Sequence, residues 1–552
     1  MLIADSHGFS EVIMRLTPRF VFLWLLLASP LLAQESVVDS IIKEGRENCE
    51  VMKHLDHLTN KIGPRLTSSD NLTKAQEWAK EQFEKWGLKN CKLEEWGTFP
   101  VGFNRGPWSG KMTAPEEKEL VCATMSWTAG TNGPVEGPAL ACPKNGDELD
   151  ALGAKIKGAW LVVTGRPPAD VLTACDEAGA AGFVRSSGGE LIVTGGNHQI
   201  RGDVPKRVTV FVRGDQHKAI VAHLDAKKDV KLRFDIKNEF KQGPIKLYNV
   251  IAEIPGTGKP DEVVIVGGHI DSWDGATGCT DNGTGTCTTL EAARILAKVG
   301  AKPRRTIRFM LWSGEEQGLL GSRAWIKNHK EELAKISAVL VHDGGTNFVS
   351  GITATESMVP IFEKIFAPVL KLSEEMPFRI QKVKSLPRGI GSDHDSFLSS
   401  GVPGFFWNQS KTKTKGQNYT HEHHTQYDVY SAAVPEFQQH TSIVVAVGAL
   451  GIANLDKMLP RDAARAPPAP EEAPRRMLGV NCDEEMVITN IVEESAAEAA
   501  GLREGDRILK IADKEIADLE SLRAAIQAAP KETVVEIMRD GKKVAVHVKF
   551  KQ

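Results

Sequence analysis

The chain has 552 residues, 41% hydrophobic and 25% charged, an ordinary globular composition spread over too great a length for one hydrophobic core, so about three or four domains are expected. Lys and Arg (68) nearly balance Asp and Glu (71), giving a formal net charge of −3, and this excludes the broad basic excess that a nucleic-acid partner requires. The eight cysteines lie far apart, which excludes a small disulfide-stapled scaffold.

In chain order, Arg15 and Arg19 precede an apolar run, Phe20 to Ala28, followed by Ser-Pro-Leu-Leu-Ala33. Basic, apolar and cleavage regions in that order read as a signal peptide over residues 1–33, and predict a secreted or periplasmic protein. Asp5 and Glu11 do not suit a signal start, which makes Met14 a candidate initiator. The apolar run is too short to cross a bilayer comfortably, so a membrane anchor is the lesser expectation. Residues 35–110 begin the main domain, which resumes at 244–455. Between them, residues 111–243 have a different texture: short strand-like runs such as Gly158 to Thr164, a helix over Ala169 to Ala181, and glycine turns near Gly188 and Gly195. This insert resembles a protease-associated domain, a β-rich module found within exopeptidases.

Three apolar runs follow, each ending at a polar group. Asp261 to His269 reads as a buried strand stopping at paired glycines; Thr306 to Ser313 is followed by Gly314-Glu315-Glu316; Ile336 to His342 ends at Asp343. A helical run, Thr288 to Lys298, follows Asp281. Strand alternating with helix predicts a mixed, mainly parallel sheet with helices on both faces, an α/β fold that sites its chemistry at the carboxyl ends of its strands. His269, Asp281, Glu315, Glu316, Asp343 and His424 are thereby candidates for one cleft.

Carboxylates and imidazoles suit zinc, and two close dications need an anionic bridge between them. One bridge with a histidine and a carboxylate on each ion uses five residues. Glu315 remains, beside a ligand yet free to move a proton as general acid/base. Asp271, two residues beyond His269, is placed to accept the second imidazole N–H. Cys279 and Cys287 flank Asp281 and are read as packing residues.

The runs Gly268-His-Ile-Asp-Ser272, Thr280-Asp-Asn-Gly-Thr-Gly285, Ser313-Gly-Glu-Glu-Gln-Gly318, Gly391-Ser-Asp-His-Asp-Ser-Phe397 and His424-Thr-Gln-Tyr-Asp428 resemble the co-catalytic zinc exopeptidases, and within them the carboxypeptidase Q subfamily. Lys61-Ile-Gly-Pro-Arg-Leu-Thr67 looks like the same subfamily. The resemblance implies two zinc ions, with Asp281 bridging, His269 and Asp343 on one ion, Glu316 and His424 on the other, and Glu315 as general base. In His421-Glu-His-His424 the last histidine is chosen because it begins the His-Thr-x-x-Asp pattern, and the others are read as cleft wall or loop.

A proline-alanine linker over 456–475 is expected to be extended, and residues 476–552 resemble a PDZ domain. Met477-Leu478-Gly479-Val480 would be the loop that holds a peptide carboxylate, with Leu519 to Ala528 as groove helix. The implied function is a secreted di-zinc exopeptidase acting on small peptides or dipeptides, a carboxypeptidase or dipeptidase, with aminopeptidase activity on the same site as the alternative. A non-catalytic receptor-like relative, a one-zinc glutaminyl-cyclase-like enzyme and a PDZ adaptor are competing readings; the complete residue set favours the peptidase. A peptide C-terminus at the PDZ domain and a homodimer are the further partner expectations.

Overall fold

The computed structural model describes residues 37–188, 195–196, 204–461, 477–482, 486–491, 495–516, 519–539 and 541–550. The expected signal peptide and residues 462–475 of the expected linker lie outside them. Among the described residues no helix is long and apolar enough to cross a membrane. The chain divides into two compact units, residues 1–465 and 466–552.

The first unit is built on a mixed sheet. Its central strand, Lys259–His269, is buried from Val263 onward and lies between two parallel neighbours, Arg305–Trp312 and Ile336–Val341. Gly404–Phe406 adds a further parallel strand beyond Ile336–Val341, while Lys231–Ile254 pairs antiparallel with Arg305–Trp312 on the other side. Burial on both faces explains the unbroken apolar runs. Helix Thr284–Lys298 is buried at thirteen positions, Thr284 through Leu296, and packs with the equally enclosed helix Pro435–Ala453. Helix Asp70–Lys85 is amphipathic instead and starts at a Ser69 hydroxyl accepting the Leu72 N–H.

Lys89–Ala114 and Lys231–Ile254 pair antiparallel from Lys89↔Glu253 to Ala114↔Lys231. They form a continuous ribbon that leaves the main sheet and enters the inserted segment, so the boundaries expected at 111 and 243 fall inside strands. Between them the described insert carries parallel strands Trp160–Val162, Gly182–Ser186 and Thr209–Val212 with helices Gly146–Leu152, Ala169–Glu177 and Gly214–Asp225. Trp160, Val184, Val210 and Phe234 fill its own core.

The segment expected to begin the linker is docked as far as Arg461. Leu459 is buried and donates its N–H to the Ser337 hydroxyl, and Arg461 hydrogen-bonds the carbonyls of Leu333 and Ile336.

In the second unit, Val480–Cys482 pairs with Ile488–Ile491, and Arg507–Ile511, Glu532–Arg539 and Lys542–Lys549 form an antiparallel sheet with Lys514–Glu515. Helix Leu519–Ala528 covers a core that includes Ile508, Ile526, Val535 and Phe550.

Candidate metal centre

Each candidate side chain is delivered by a strand end or the turn after it. Gly267 and Gly268 allow the central strand to finish between crowded neighbours: a Cβ on Gly267 would lie 2.3 Å from the Met310 carbonyl oxygen and one on Gly268 2.6 Å from that of His342. His269 follows, its side chain fully enclosed, and its carbonyl accepts the Thr286 hydroxyl at 2.8 Å. Gly314 takes φ +74, which turns the chain out of its strand and presents Glu315 and Glu316. Asp343 lies two residues beyond the end of Ile336–Val341, and its carbonyl accepts the Gln409 amide at 2.6 Å.

These residues converge on Asp281. Its Oδ1 lies 3.1 Å from His269 Nε2, which is itself 3.2 Å from Asp343 Oδ1. Its Oδ2 lies 3.2 Å from His424 Nε2, which is 3.0 Å from Glu316 Oε2. One carboxylate thus turns its two oxygens to two separate histidine-carboxylate pairs. Zinc–ligand bonds of about 2.1 Å place tetrahedral neighbours roughly 3.4 Å apart, so donor separations of 3.0–3.2 Å suit ligands sharing an ion. Glu315 stands slightly back, its Oε2 4.0 Å from His269 Nε2, and lines the same cavity of about 870 Å³ as Asp281, Glu316, Asp343 and His424.

His423 also enters the site. It stacks on His424 with ring centroids 3.7 Å apart, and its Nε2 is 3.5 Å from Asp281 Oδ2. Distance favours His424, which alone of the two contacts Glu316. His424 holds φ +56, a left-handed conformation that few non-glycine residues adopt.

The charge balance calls for cations. Burial works against a charged His269, yet Asp343 and Glu315 outweigh it and raise its pKa well above the usual histidine range. Burial also opposes charge on His424, where hydrogen bonds to Asp281 and Glu316 raise the pKa to about 10. Burial and the neighbouring Asp281 push Glu316 up to about 7. In Glu315 burial outweighs the attraction of His269 and, with Asp343, Asp393 and Glu316 nearby, raises the pKa well above the carboxylate range. So many enclosed acids with only imidazoles for company match a site completed by multivalent cations.

Supporting groups fix the loops. Asp428, the last residue of the His-Thr-x-x-Asp pattern, accepts the Thr280 N–H at 2.5 Å, the Thr280 hydroxyl at 2.9 Å and the Asp281 N–H at 3.3 Å. Arg65 donates to the carbonyls of Ile270, Thr277 and Gly278 at 2.7–2.8 Å, which ties the Lys61 to Thr67 run to the segment between His269 and Asp281. Asp271 meets the second nitrogen of His269 through its main chain. His269 Nδ1 meets the Asp271 carbonyl at 3.0 Å, while the carboxylate, 3.6 Å from that nitrogen, receives the Thr67 hydroxyl and the N–H groups of Glu315 and Glu316. The ribbon and the insert contribute too: Arg105, on strand Lys89–Ala114, pairs with buried Asp274 at 2.8 Å, Ser126 of the insert donates to the same oxygen, and Trp127 packs edge-on against Trp273. Trp273 in turn lies edge-on to His424 and donates its main-chain N–H to Glu316 Oε1 at 3.2 Å.

The flanking cysteines are packing residues. Cys279 and Cys287 are fully buried, and burial pushes both thiols up, away from the thiolate form. Sequence reading passed over Asp393, a buried acid whose pKa burial raises to about 7, although it lies in the quoted Gly391 to Phe397 run. It also passed over Arg323 and Tyr419 on the cavity wall, where no motif marked them.

In the second unit, Leu478 is buried and its carbonyl accepts the Ala497 N–H, Met477 is 72% exposed, Gly479 takes φ +81, and Val480 begins the first strand. The four residues expected to hold a peptide carboxylate therefore lead directly into an edge strand.

Residues 249–448 match peptidase family M28, and residues 487–539 match the PDZ domain. The first unit carries a peptidase M28 domain. Carboxypeptidase Q of Mus musculus is 28% identical over 445 residues, covering 77% of this chain and 91% of that protein. Leupeptin-inactivating enzyme 1 of Streptomyces exfoliatus is 32% identical over 210 residues, 36% of this chain and 45% of that enzyme. The crystal structure of a peptidase M28 precursor from Shewanella amazonensis superposes with a TM-score of 0.57 at 25% identity, over 78% of this chain and 98% of that one. The M28 match spans every residue gathered around Asp281.

Proposed function

We propose that this chain is a secreted di-zinc exopeptidase that hydrolyses small peptides or dipeptides, in the manner of a carboxypeptidase or dipeptidase. The observation that carries this reading is the split arrangement of Asp281, whose two oxygens face His269 with Asp343 and His424 with Glu316. Those five residues would hold two zinc ions with Asp281 shared. When bound, zinc supplies Lewis acidity toward the scissile carbonyl and lowers the pKa of water. Glu315 takes the proton of the attacking water and hands it to the leaving amine nitrogen. Asp428 and Arg65 keep the Asp281 segment in place, and Asp271 fixes the main chain of both glutamates. Similarity to carboxypeptidase Q over most of its length supports the carboxypeptidase or dipeptidase form. Aminopeptidase activity is the alternative for the same centre.

The inserted segment is assigned as a protease-associated domain, and the PDZ domain as a binding site for a peptide C-terminus beside Val480–Cys482. Residues 1–33 are assigned as the signal peptide.

The test is hydrolysis of a free dipeptide by zinc-loaded, chelator-stripped and zinc-restored enzyme. Turnover should disappear on stripping and return with zinc; turnover untouched by chelation and metal removal contradicts the assignment.

A further inference from the structure

The cavity beside the metal centre is lined by Asp281, Glu315, Glu316 and Asp343, and among the described residues on its wall Arg323 is the one Lys or Arg. Arg323 belongs to helix Leu320–Asn328, which begins directly after the turn bearing the two glutamates. Its helix is firmly placed: Asn249 donates to the Gly321 carbonyl at 3.0 Å, and the Ser322 and Ser396 hydroxyls meet at 3.0 Å. That second contact joins the helix to His394–Ser399 and so brings up Ile390, Gly391 and Ser392, which line the same cavity. The Arg323 side chain is exposed and has no ion pair with a described residue. Gln317 and Ser392, both more than nine-tenths buried, line this wall with side-chain polar atoms that have no hydrogen-bond partner among the described residues.

An unspent guanidinium in a cleft of carboxylates is matched to an anion, and its planar fork suits a carboxylate bidentately. A short peptide carries one ammonium and one carboxylate. With Asp281, Glu316 and Asp343 assigned to metal and Glu315 to proton transfer, Arg323 is the Lys or Arg side chain on the described wall left to meet that carboxylate away from the ions. Resting on the peptidase reading above, we propose that Arg323 anchors the free α-carboxylate of the substrate, with Gln317 and Ser392 supporting that wall. This assigns Arg323 a specificity role and separates the dipeptidase form from a general aminopeptidase.

The experiment compares kcat/KM for a neutral dipeptide, its C-terminal amide, and the corresponding dipeptides ending in Glu or Gln, using the zinc-loaded full chain and its Arg323→Ala and Arg323→Lys variants. The native enzyme should prefer the free dipeptide over the amide by on the order of tenfold or more, the advantage expected for a hydrogen-bonded charge pair. Arg323→Ala should collapse that ratio toward one, mainly through KM, with zinc content unchanged, and Arg323→Lys should keep part of it. A preference that follows a Glu side chain and ignores amidation would overturn the α-carboxylate assignment, as would a free-to-amide ratio unaltered in Arg323→Ala. Failure of the native, zinc-loaded enzyme to cleave any of the four peptides would overturn the peptidase reading and this inference with it.

Discussion

On one side of Asp281 the partners leave the ends of paired sheet strands: His269 and Asp343 have side chains 0% and 11% exposed. On the other, Glu316 is equally enclosed at 3%, but His424 comes from an irregular segment and is 33% exposed, with His423 stacked on it at 40%. The first pair is placed by the sheet that forms the core. The second depends on φ +56 at His424, on Asp428, and on Trp273, which the inserted segment supports. Two ligand sets of the same chemistry thus differ in what holds them, and the loop-borne set should be the more easily disturbed.

The largest expected effect lies outside that asymmetry. Glu315→Gln should cut turnover by roughly 10²–10⁴-fold while metal content stays at the native level, because it removes the proton carrier and no ligand. Loss of metal in that variant would place Glu315 among the ligands. Asp428→Asn sharpens the comparison: with weakened acceptance of the Thr280 and Asp281 N–H groups, zinc affinity should drop by about 10–100-fold, measured by competition with a chromophoric chelator. An unchanged affinity would mean that the Asp281 segment holds itself.

How much of this was legible in the sequence follows the same division. Strand ends were readable because Val263 to Val266 and Ile336 to Val341 are apolar on both faces, and a polar residue after such a run has one place to go. The loop residues were less so. Two adjacent histidines, His423 and His424, both approach Asp281, and only the contact to Glu316 separates them. Asp271 was placed beside His269, but which of its oxygens meets the ring depends on a turn that spacing does not encode. Arg323 carried no signal, since an arginine at helical spacing is ordinarily a solvated surface residue, and the ribbon that carries strands past residues 111 and 243 reads locally as part of the insert.

A smaller effect tests the framework beneath the sheet-held pair. Burial in helix Pro435–Ala453 pushes His440 down to about 4 from a usual value near 6.5. A depressed pKa contributes stability that is fully present above pH 6.5 and is lost as pH falls toward 4, at most about 3 kcal/mol. Chemical denaturation of metal-free protein between pH 7.5 and 4.5 should show that slope, and His440→Gln should flatten it. The smallest effect concerns the second unit: ending the chain after Arg461 keeps the docked Leu459 and should change dipeptide turnover by less than about twofold, consistent with two separate cores. Collapse of activity would tie catalysis to the PDZ unit.

The most direct test of the shared-carboxylate centre is the zinc content, by elemental analysis, of native protein, Asp281→Asn and His424→Ala. The arrangement predicts two zinc ions per native chain, loss of both in Asp281→Asn, and retention of about one, on the His269 and Asp343 side, in His424→Ala. One zinc in the native chain, or full occupancy without the Asp281 carboxylate, would contradict it.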